Sequence, residues 1–74
     1  RDAKTRLQEW AQGRGFPTPV YREIMRSGPD HQPVFVIAAE IAGLLPAEGE
    51  GSSKRLAEQE AARVFLRREG LDHD

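Results

Sequence analysis

The connections between three strand-like segments constrain the fold of this 74-residue chain more than any other feature. Apolar alternation and turn residues predict strands at about Val20–Ser27, Val34–Ala42 and Leu45–Gly49, with Pro46 at a sheet edge. Parallel neighbours would need a crossover of about a dozen residues or more, and neither connection is that long. The sequence therefore predicts a three-stranded antiparallel sheet whose first hairpin carries a projecting loop at Gly28–His31.

Two apolar-periodic segments flank the strands and predict two helices. Asp2 is the candidate N-cap of the first helix, which runs to about Gln12 and ends at Gly13. The second helix spans about Ser53–Glu69 and ends at Gly70. The residues predicted to be buried are Ala3, Leu7, Trp10 and Ala11 in the first helix and Ala57, Ala61, Val64 and Phe65 in the second.

The element order α-β-β-β-α predicts a two-layer α+β domain in which both helices pack on one face of the three-stranded antiparallel sheet. Leu56 and Leu66 lie off the apolar stripe of the second helix, so we expect the first helix to cover part of that surface. A chain of 74 residues forms one small domain with little room for an enclosed active site. We expect a single domain over residues 1–74, with an ordered core at about 2–71 and a frayed tail at 72–74.

Composition and charge argue against several classes of protein. A net charge of −1 and a pI near 6.1 count against a general nucleic-acid binder, because such domains are usually basic. The longest apolar run, Val34–Ala39, is too short to span a bilayer, which predicts no membrane partner. The chain has no cysteine, so we expect a cytoplasmic protein without disulfides or thiolate metal sites. Arg1 stands in place of an initiator methionine, which favours a segment of a longer protein.

The start of the second helix is the strongest candidate for a binding site. Gly49 and Gly51 precede two serines, either of which can act as the N-cap, and Lys54 and Arg55 then fall in the first helical turn. Unpaired amides and the helix dipole already carry partial positive charge there, so each cation costs about 0.3–1 kcal/mol. Glycines, free amides, hydroxyls and two cations together predict an anion site, and phosphate is the anion that fits best.

Other polar residues carry weaker signals. Arg63, Arg67 and Arg68 form a second basic group, which we interpret as a solvated face with i,i+4 ion pairs. His31, in a Pro-Asp turn, is more typical of a turn residue than of a metal ligand or a base. None of the 12 acidic residues has a recognisable metal-ligand or acid/base spacing, and Asp72–Asp74 lies beyond the helix end, so we predict no catalytic residue and no metal site.

Five motifs connect these segments to a known family. They are Asp2-x-Lys4-Thr5-x-Leu7-Gln8-Glu9, Pro17-x-Pro19-x-Tyr21, Gly28-Pro29-Asp30-His31, Phe35, and Gly49-x-Gly51-Ser52-Ser53-Lys54-Arg55-x-Ala57-Glu58-Gln59-x-Ala61-Ala62. From Asp2 to Leu71 the chain resembles a double-stranded RNA-binding domain, most closely the C-terminal domain of bacterial ribonuclease III. Each motif alone is weak, but five of them in order and at the family's spacing make a strong match.

The resemblance implies shape-selective binding of A-form RNA over about 16 base pairs, across two successive minor grooves and the phosphates between them. The first helix would contact one minor groove, the loop of the first hairpin the next, and the start of the second helix the phosphates. The residues assigned in this way are Thr5, Gln8 and Glu9, then Pro29 and His31, and then Ser53, Lys54 and Arg55. Glu58 stands where the wider family often has a third basic residue, which predicts modest affinity, although the ribonuclease III branch also tends to have glutamate there.

The resemblance further implies that this segment is not itself an enzyme and needs no cofactor, because the acidic helix motif of the ribonuclease III nuclease domain is absent. The segment would dock precursor RNA, including ribosomal RNA precursors, onto a covalently linked, Mg²⁺-dependent nuclease domain that forms a homodimer. One alternative is a domain of this fold that mediates protein association or dimerisation with weak or no RNA binding, which the net acidity and an exposed Leu56 and Leu66 would favour. Another is attachment to a different enzyme that acts on double-stranded RNA.

Overall fold

A computed structural model describes residues 2–71, and its five elements follow the predicted order. They are α1 (Ala3–Gly13), β1 (Val20–Ser27), β2 (Val34–Glu40), β3 (Ala47–Gly51) and α2 (Lys54–Arg68). The strands form one antiparallel sheet in the order β1-β2-β3. The predicted α+β class and α-β-β-β-α order are therefore confirmed, whereas the predicted tail at 72–74 lies outside the described residues.

The core lies between the sheet and the two helices. Its largest fully buried side chains are those of Leu7 in α1, Phe65 in α2 and Ile41 just after β2. Residues of α1, α2, β2 and β3 share this cluster, which places both helices on one face of the sheet. The ring of Trp10, which is half-buried, lies 5.6 Å from that of Phe16 and 6.2 Å from that of Phe65, so aromatic contacts extend the interface between α1 and α2.

The two leucines that lie off the apolar stripe of α2 have different environments. Leu66 is 2% exposed and joins the core cluster that contains the buried residues of α1, as expected. Leu56 is 50% exposed, so α1 covers the part of this surface at Leu66 and leaves the part at Leu56 open. The first residue of α1, Ala3, contacts Gln59, and α1 therefore reaches α2 only beyond the first turn of α2. Of the two leucines that would favour a protein-association module, only Leu56 is exposed.

β3 and α2 approach one another closely because only small residues lie between them. Gly49 and Gly51 face α2, where Ala57 and Ala61 are fully buried. A Cβ atom added at Gly49 would lie 2.7 Å from the Cα of Ala61, and one added at Gly51 would lie 2.5 Å from the backbone nitrogen of Ala57. Both distances are well below van der Waals contact, so the backbone of β3 can lie this close to α2 only with glycine at these positions.

The third strand begins two residues later than predicted. We predicted Leu45–Gly49, with Pro46 inside the strand, but β3 spans Ala47–Gly51 and Pro46 precedes it. The carbonyl oxygens of Leu45 and Pro46 accept hydrogen bonds from the guanidinium of Arg68, at 2.6 and 3.0 Å, instead of pairing with a neighbouring strand. Arg68 is exposed, as predicted, but its guanidinium binds these carbonyl oxygens and pairs with Glu69 rather than forming the predicted i,i+4 ion pair.

β2 ends at Glu40 rather than at the predicted Ala42. A turn follows, in which the N–H of Leu44 donates to the carbonyl of Ile41 at 3.0 Å and Gly43 has a φ of +94°, a region that favours glycine. Ile41 is nevertheless buried, so the predicted apolar face continues beyond the end of the strand.

Gly49→Ala should lower the free energy of unfolding by at least about 2 kcal/mol, because the added methyl group would meet backbone atoms that cannot rotate away. Gly13→Ala is the matched control, since no atom lies within 4 Å of a Cβ at Gly13 and alanine favours the helix in which this residue lies. Urea unfolding followed by circular dichroism measures the difference. Equal stability of the two variants would contradict the close contact between β3 and α2.

Candidate nucleic-acid interface

The start of α2 combines an N-cap with two basic residues. Ser53 has extended backbone angles (φ −140°, ψ 162°), and its Oγ accepts a hydrogen bond from the N–H of Leu56 at 3.1 Å. Lys54 and Arg55 follow in the first turn, which contains no acidic residue. Of the two predicted N-caps, Ser53 is therefore the one used, and the prediction that both cations lie against the helix dipole is confirmed.

The two cations differ in their surroundings. The side chain of Lys54 is 65% exposed, and its Nζ lies 3.3 Å from Oε1 of Glu23 on β1. Because both groups are solvated, such a pair contributes about 1 kcal/mol or less, and a phosphate can replace the carboxylate. Arg55 is exposed, and its side chain makes no hydrogen bond, ion pair or ring contact with any residue between 2 and 71. Arg55 is thus available to an external anion.

The outer face of α1 carries three of the predicted contact residues. Thr5, Gln8 and Glu9 are exposed and are spaced by three and four residues, so they share one side of the helix. Leu7 and Ala11 are buried on the other side. The outer face can present hydroxyl, amide and carboxylate groups to a ligand, and its contact with RNA stays a prediction.

Pro29 and His31 lie in the exposed loop between β1 and β2. The loop begins at Gly28, whose φ of +83° favours glycine. At its other end, β2 pairs with β3 so that Phe35 lies opposite Gly51, two residues before the N-cap of α2. The loop and the start of α2 therefore lie at the same end of the sheet.

Side chains of α2 bind the start of α1 through a group of contacts that we call the helix clamp, formed by Asp2, Ala3, Lys4, Glu58 and Gln59. The Oε1 of Gln59 accepts a hydrogen bond from the N–H of Ala3 at 3.0 Å, and its Nε2 donates to Oδ1 of Asp2 at 2.6 Å. The Nζ of Lys4 lies 2.5 Å from Oε1 of Glu58. The start of α1 therefore lies beside the second turn of α2.

Sequence patterns did not predict the helix clamp, because its pairs lie 54 to 57 residues apart and no local pattern links them. In the sequence, Glu58 stood out because the wider family often has a basic residue at this position. The structure shows that Glu58 is the ion-pair partner of Lys4. The hydrogen bond from Gln59 is the main cause that lowers the pKa of the Asp2 carboxyl. The clamp therefore favours a charged Asp2, which also accepts a hydrogen bond from the N–H of Lys4 at 2.8 Å as the N-cap of α1.

Two other kinds of feature are absent among the residues that the structure describes, a group of metal ligands and a helix that could span a membrane. Among residues 2–71, no three histidine, aspartate or glutamate side chains come together in a group that could hold a metal ion. Neither of the helices described there has the length and apolar character needed to cross a membrane.

A family model for the double-stranded RNA binding motif matches residues 3–69. The chain belongs to this family. The match confirms the family resemblance drawn from the sequence motifs. It covers all five elements, including the three segments of the candidate interface.

The double-stranded RNA binding motif of this chain is similar to part of several curated bacterial enzymes. Ribonuclease 3 from Methylocella silvestris is 64% identical over 71 residues, which make up 96% of this chain and 30% of that protein. Ribonuclease 3 from Bradyrhizobium diazoefficiens is 62% identical over 71 residues, which make up 96% of this chain and 28% of that protein. The chain therefore spans less than a third of the length of these relatives, and the predicted similarity to the ribonuclease III branch is confirmed.

Solved structures of the motif confirm the fold. A structure of Arabidopsis HYL1, described in connection with miRNA processing, is 36% identical with a TM-score of 0.80 and covers 95% of this chain and 99% of that chain. A variant of the dsRBD of human tRNA dihydrouridine synthase (20) is 30% identical, also with a TM-score of 0.80, and covers 97% of this chain and 74% of that chain.

Tyr21, the single tyrosine, should titrate well above the usual range. Burial raises the pKa of its hydroxyl to about 12, and the negative charges of Glu58 and Asp2 act in the same direction. Because the folded state holds the proton more tightly than the unfolded state, stability should be unaffected below about pH 10 and should fall as the pH rises from about 10 to 12. Ultraviolet absorbance of tyrosinate, recorded with unfolding curves, measures both effects.

Tyr21→Phe is the control for this titration, because the buried hydroxyl has no hydrogen-bond partner among residues 2–71 and phenylalanine keeps the packing. The loss of stability between about pH 10 and 12 should be smaller in this variant. An ordinary tyrosine titration near pH 10 in the folded protein would contradict the buried position of the hydroxyl.

Proposed function

We propose that this domain binds A-form double-stranded RNA by shape, through the outer face of α1, the loop between β1 and β2, and the start of α2. In this proposal the first two segments contact successive minor grooves, and the third contacts the phosphates between them. The residues that would make these contacts are Thr5, Gln8, Glu9, Pro29, His31, Ser53, Lys54 and Arg55. Support comes from the family match, from the contact of α1 with α2, and from the position of the exposed loop at the same end of the sheet as the start of α2.

The observation that carries the proposal is the placement of Lys54 and Arg55 in the first turn of α2. Both cations lie where the helix dipole opposes them, so a role in folding does not explain them. Both are exposed, and the N-cap Ser53 leaves other amides of the first turn unpaired. A phosphate diester at this position would accept hydrogen bonds from those amides and would be attracted by both side chains.

We further propose that the domain docks precursor RNA onto a linked nuclease domain of the ribonuclease III type. The support is the similarity to a part of each Ribonuclease 3 relative, in which most of the length lies outside the match. Tethering would raise the local concentration of RNA at the nuclease site, so that modest affinity suffices. In such a protein the Mg²⁺ ions and the homodimer contacts would belong to the linked domain, and processing of ribosomal RNA precursors would take place in the cytoplasm.

A titration tests the proposal. The domain is titrated with an RNA duplex of about 20 base pairs and with a DNA duplex of the same sequence, each at two salt concentrations. RNA should bind more tightly than DNA, and its affinity should fall with salt. If neither duplex binds at low salt, the RNA-binding role fails and a protein-association module takes its place. Equal binding of the two duplexes would remove the role of the 2′-hydroxyl groups.

Lys54→Ala combined with Arg55→Ala should weaken RNA binding, and each phosphate that the variant no longer neutralises should flatten the slope of log K against log salt by about 0.9. The double variant should keep its melting temperature, or raise it slightly, because cations are removed from the positive end of a helix dipole. Fluorescence anisotropy over a salt series and a thermal melt measure the two effects.

Arg63→Ala combined with Arg67→Ala is the matched control, because it removes the same charge from the same helix. Arg63 pairs with Glu60 at 2.7 Å, and Arg67 lies 12 residues beyond Arg55, which is about 18 Å along the helix axis. The control should keep the salt dependence of the parent domain. Equal losses of affinity in both double variants would show that net charge, and not the start of α2, governs binding.

Replacements of Ser53 should separate capping from RNA binding. Ser53→Ala removes the N-cap and should destabilise the domain by about 1 kcal/mol. Ser53→Asp keeps a good N-cap and adds a negative charge that favours the helix dipole, so stability should be kept or raised. The same charge should repel a phosphate, so Ser53→Asp should bind RNA more weakly than Ser53→Ala. Chemical unfolding and RNA titration should therefore rank the two variants in opposite orders.

A further inference from the structure

We propose that Gln59, through Asp2, is a positioning residue for RNA recognition, which holds the outer face of α1 at a fixed place relative to the phosphate-binding start of α2. This inference rests on the proposed function. Neither residue is among the proposed RNA contacts. Their role is to set the distance between two contact segments that would meet different parts of the duplex.

The chemistry of the contact requires a side chain that donates and accepts at the same time. The Oε1 of Gln59 accepts from the N–H of Ala3 at 3.0 Å, while its Nε2 donates to the carboxylate of Asp2 at 2.6 Å. An amide provides both groups, whereas a carboxylate at position 59 would only accept. Two carboxylates at this separation would repel one another, so Gln59→Glu would open the contact without changing the size of the side chain.

The hydrogen bonds of Gln59 lie close to both proposed contact segments, the start of α2 and the outer face of α1. Gln59 lies four residues after Arg55, which is slightly more than one helical turn, or about 6 Å along the axis of α2. On the other helix, Asp2 is the N-cap and Ala3 is the first residue of the turn that also carries Thr5. The hydrogen bonds therefore join the two helices within about one turn of each proposed contact.

The clamp fixes the distance between the outer face of α1 and the start of α2, and this distance would also discriminate RNA from DNA. A-form RNA has a wide, shallow minor groove, whereas that of B-form DNA is narrow, so the distance from the minor groove to the flanking phosphates differs between the two duplexes. A rigid arrangement of α1 and α2 fits one spacing and disfavours the other. A loosened arrangement should lose affinity for RNA and also part of its preference for RNA over DNA.

Most of the buried residues of α1 do not take part in the clamp. Leu7 and Ala11 are buried in the main core cluster with Phe65, whereas Ala3 belongs both to that cluster and to the clamp, through the part-buried hydrogen bond from its N–H to Gln59. Variants of the clamp should therefore fold, which allows RNA recognition to be measured separately from stability.

The test is a double-mutant cycle of Gln59→Glu, Asp2→Asn and their combination. Asp2→Asn keeps an Oδ1 acceptor and a good N-cap and should bind RNA within about twofold of the parent domain. Gln59→Glu should weaken RNA binding about tenfold or more and lower the ratio of RNA to DNA affinity. In the combination, the asparagine amide can donate to the new carboxylate, so both quantities should return to within about twofold of their original values. The combination has the same net charge as the parent domain.

Three results would overturn the positioning role. The first is a double-mutant cycle in which Gln59→Glu and Asp2→Asn change RNA affinity by equal and opposite amounts that simply add in the combination. Such a result would show an effect of net charge without an interaction between the two residues. The second is a lowered melting temperature of Gln59→Glu with an unchanged ratio of RNA to DNA affinity, measured well below the transition. The third is unchanged RNA binding by all three variants while Lys54→Ala with Arg55→Ala still weakens it, which leaves the proposed function intact. If the parent domain binds neither duplex, the proposed function fails and the positioning role fails with it.

Discussion

Two of the three proposed contact segments, the start of α2 and the outer face of α1, take their positions from the close approach of two backbones, those of β3 and α2. Gly49 and Gly51 have no Cβ atoms to hold the helix away, and α2 presents alanine at the facing positions. α1 then packs mainly against α2, so the placement of one helix determines that of the other. A larger residue at either glycine would displace the basic start of α2 together with the helix that packs on it.

Basic residues at the two ends of α2 have opposite interactions with the helix dipole. Lys54 and Arg55 lie at the N-terminal end, where the dipole makes them unfavourable. Arg67 and Arg68 lie in the last turn, where the dipole favours them, and Arg68 also binds two carbonyl oxygens and lies 4.4 Å from the ring centroid of Phe65. Lys54 has a solvated carboxylate partner in Glu23, whereas the side chain of Arg55 has no such contact with residues 2–71, and a residue of that kind is typical of a functional site.

Local patterns were sufficient to predict the elements, but not the contacts between distant segments. β1 was predicted at its observed bounds, and its imperfect alternation has a cause in the structure, because the pairing with β2 shifts between Glu23 and Met25. The bounds of β3 were wrong because they depend on Arg68, which is 22 residues away from Pro46. The same limit applies to the helix clamp, since no periodicity within one helix shows which polar side chains will face another.

The exposed side chains of the candidate interface were easier to predict from sequence. N-cap preference, glycine turns and the dipole are properties of a few consecutive residues, and they pointed to the start of α2 directly. What they could not show is that Glu23 and Glu58 supply carboxylates to two of the nearby cations, because these partners come from a different strand or a different helix.

Those two ion pairs bear on how a duplex would first meet the domain. A carboxylate 3.3 Å from Lys54 and another 2.5 Å from Lys4 cancel most of the field of those cations at distances beyond a Debye length, and the whole chain has a net charge of −1. Long-range attraction therefore adds little to the rate of encounter. In such a domain, discrimination between duplexes takes place after diffusion has brought the two molecules together. Differences in affinity between duplexes would then arise from the dissociation rate rather than from the association rate.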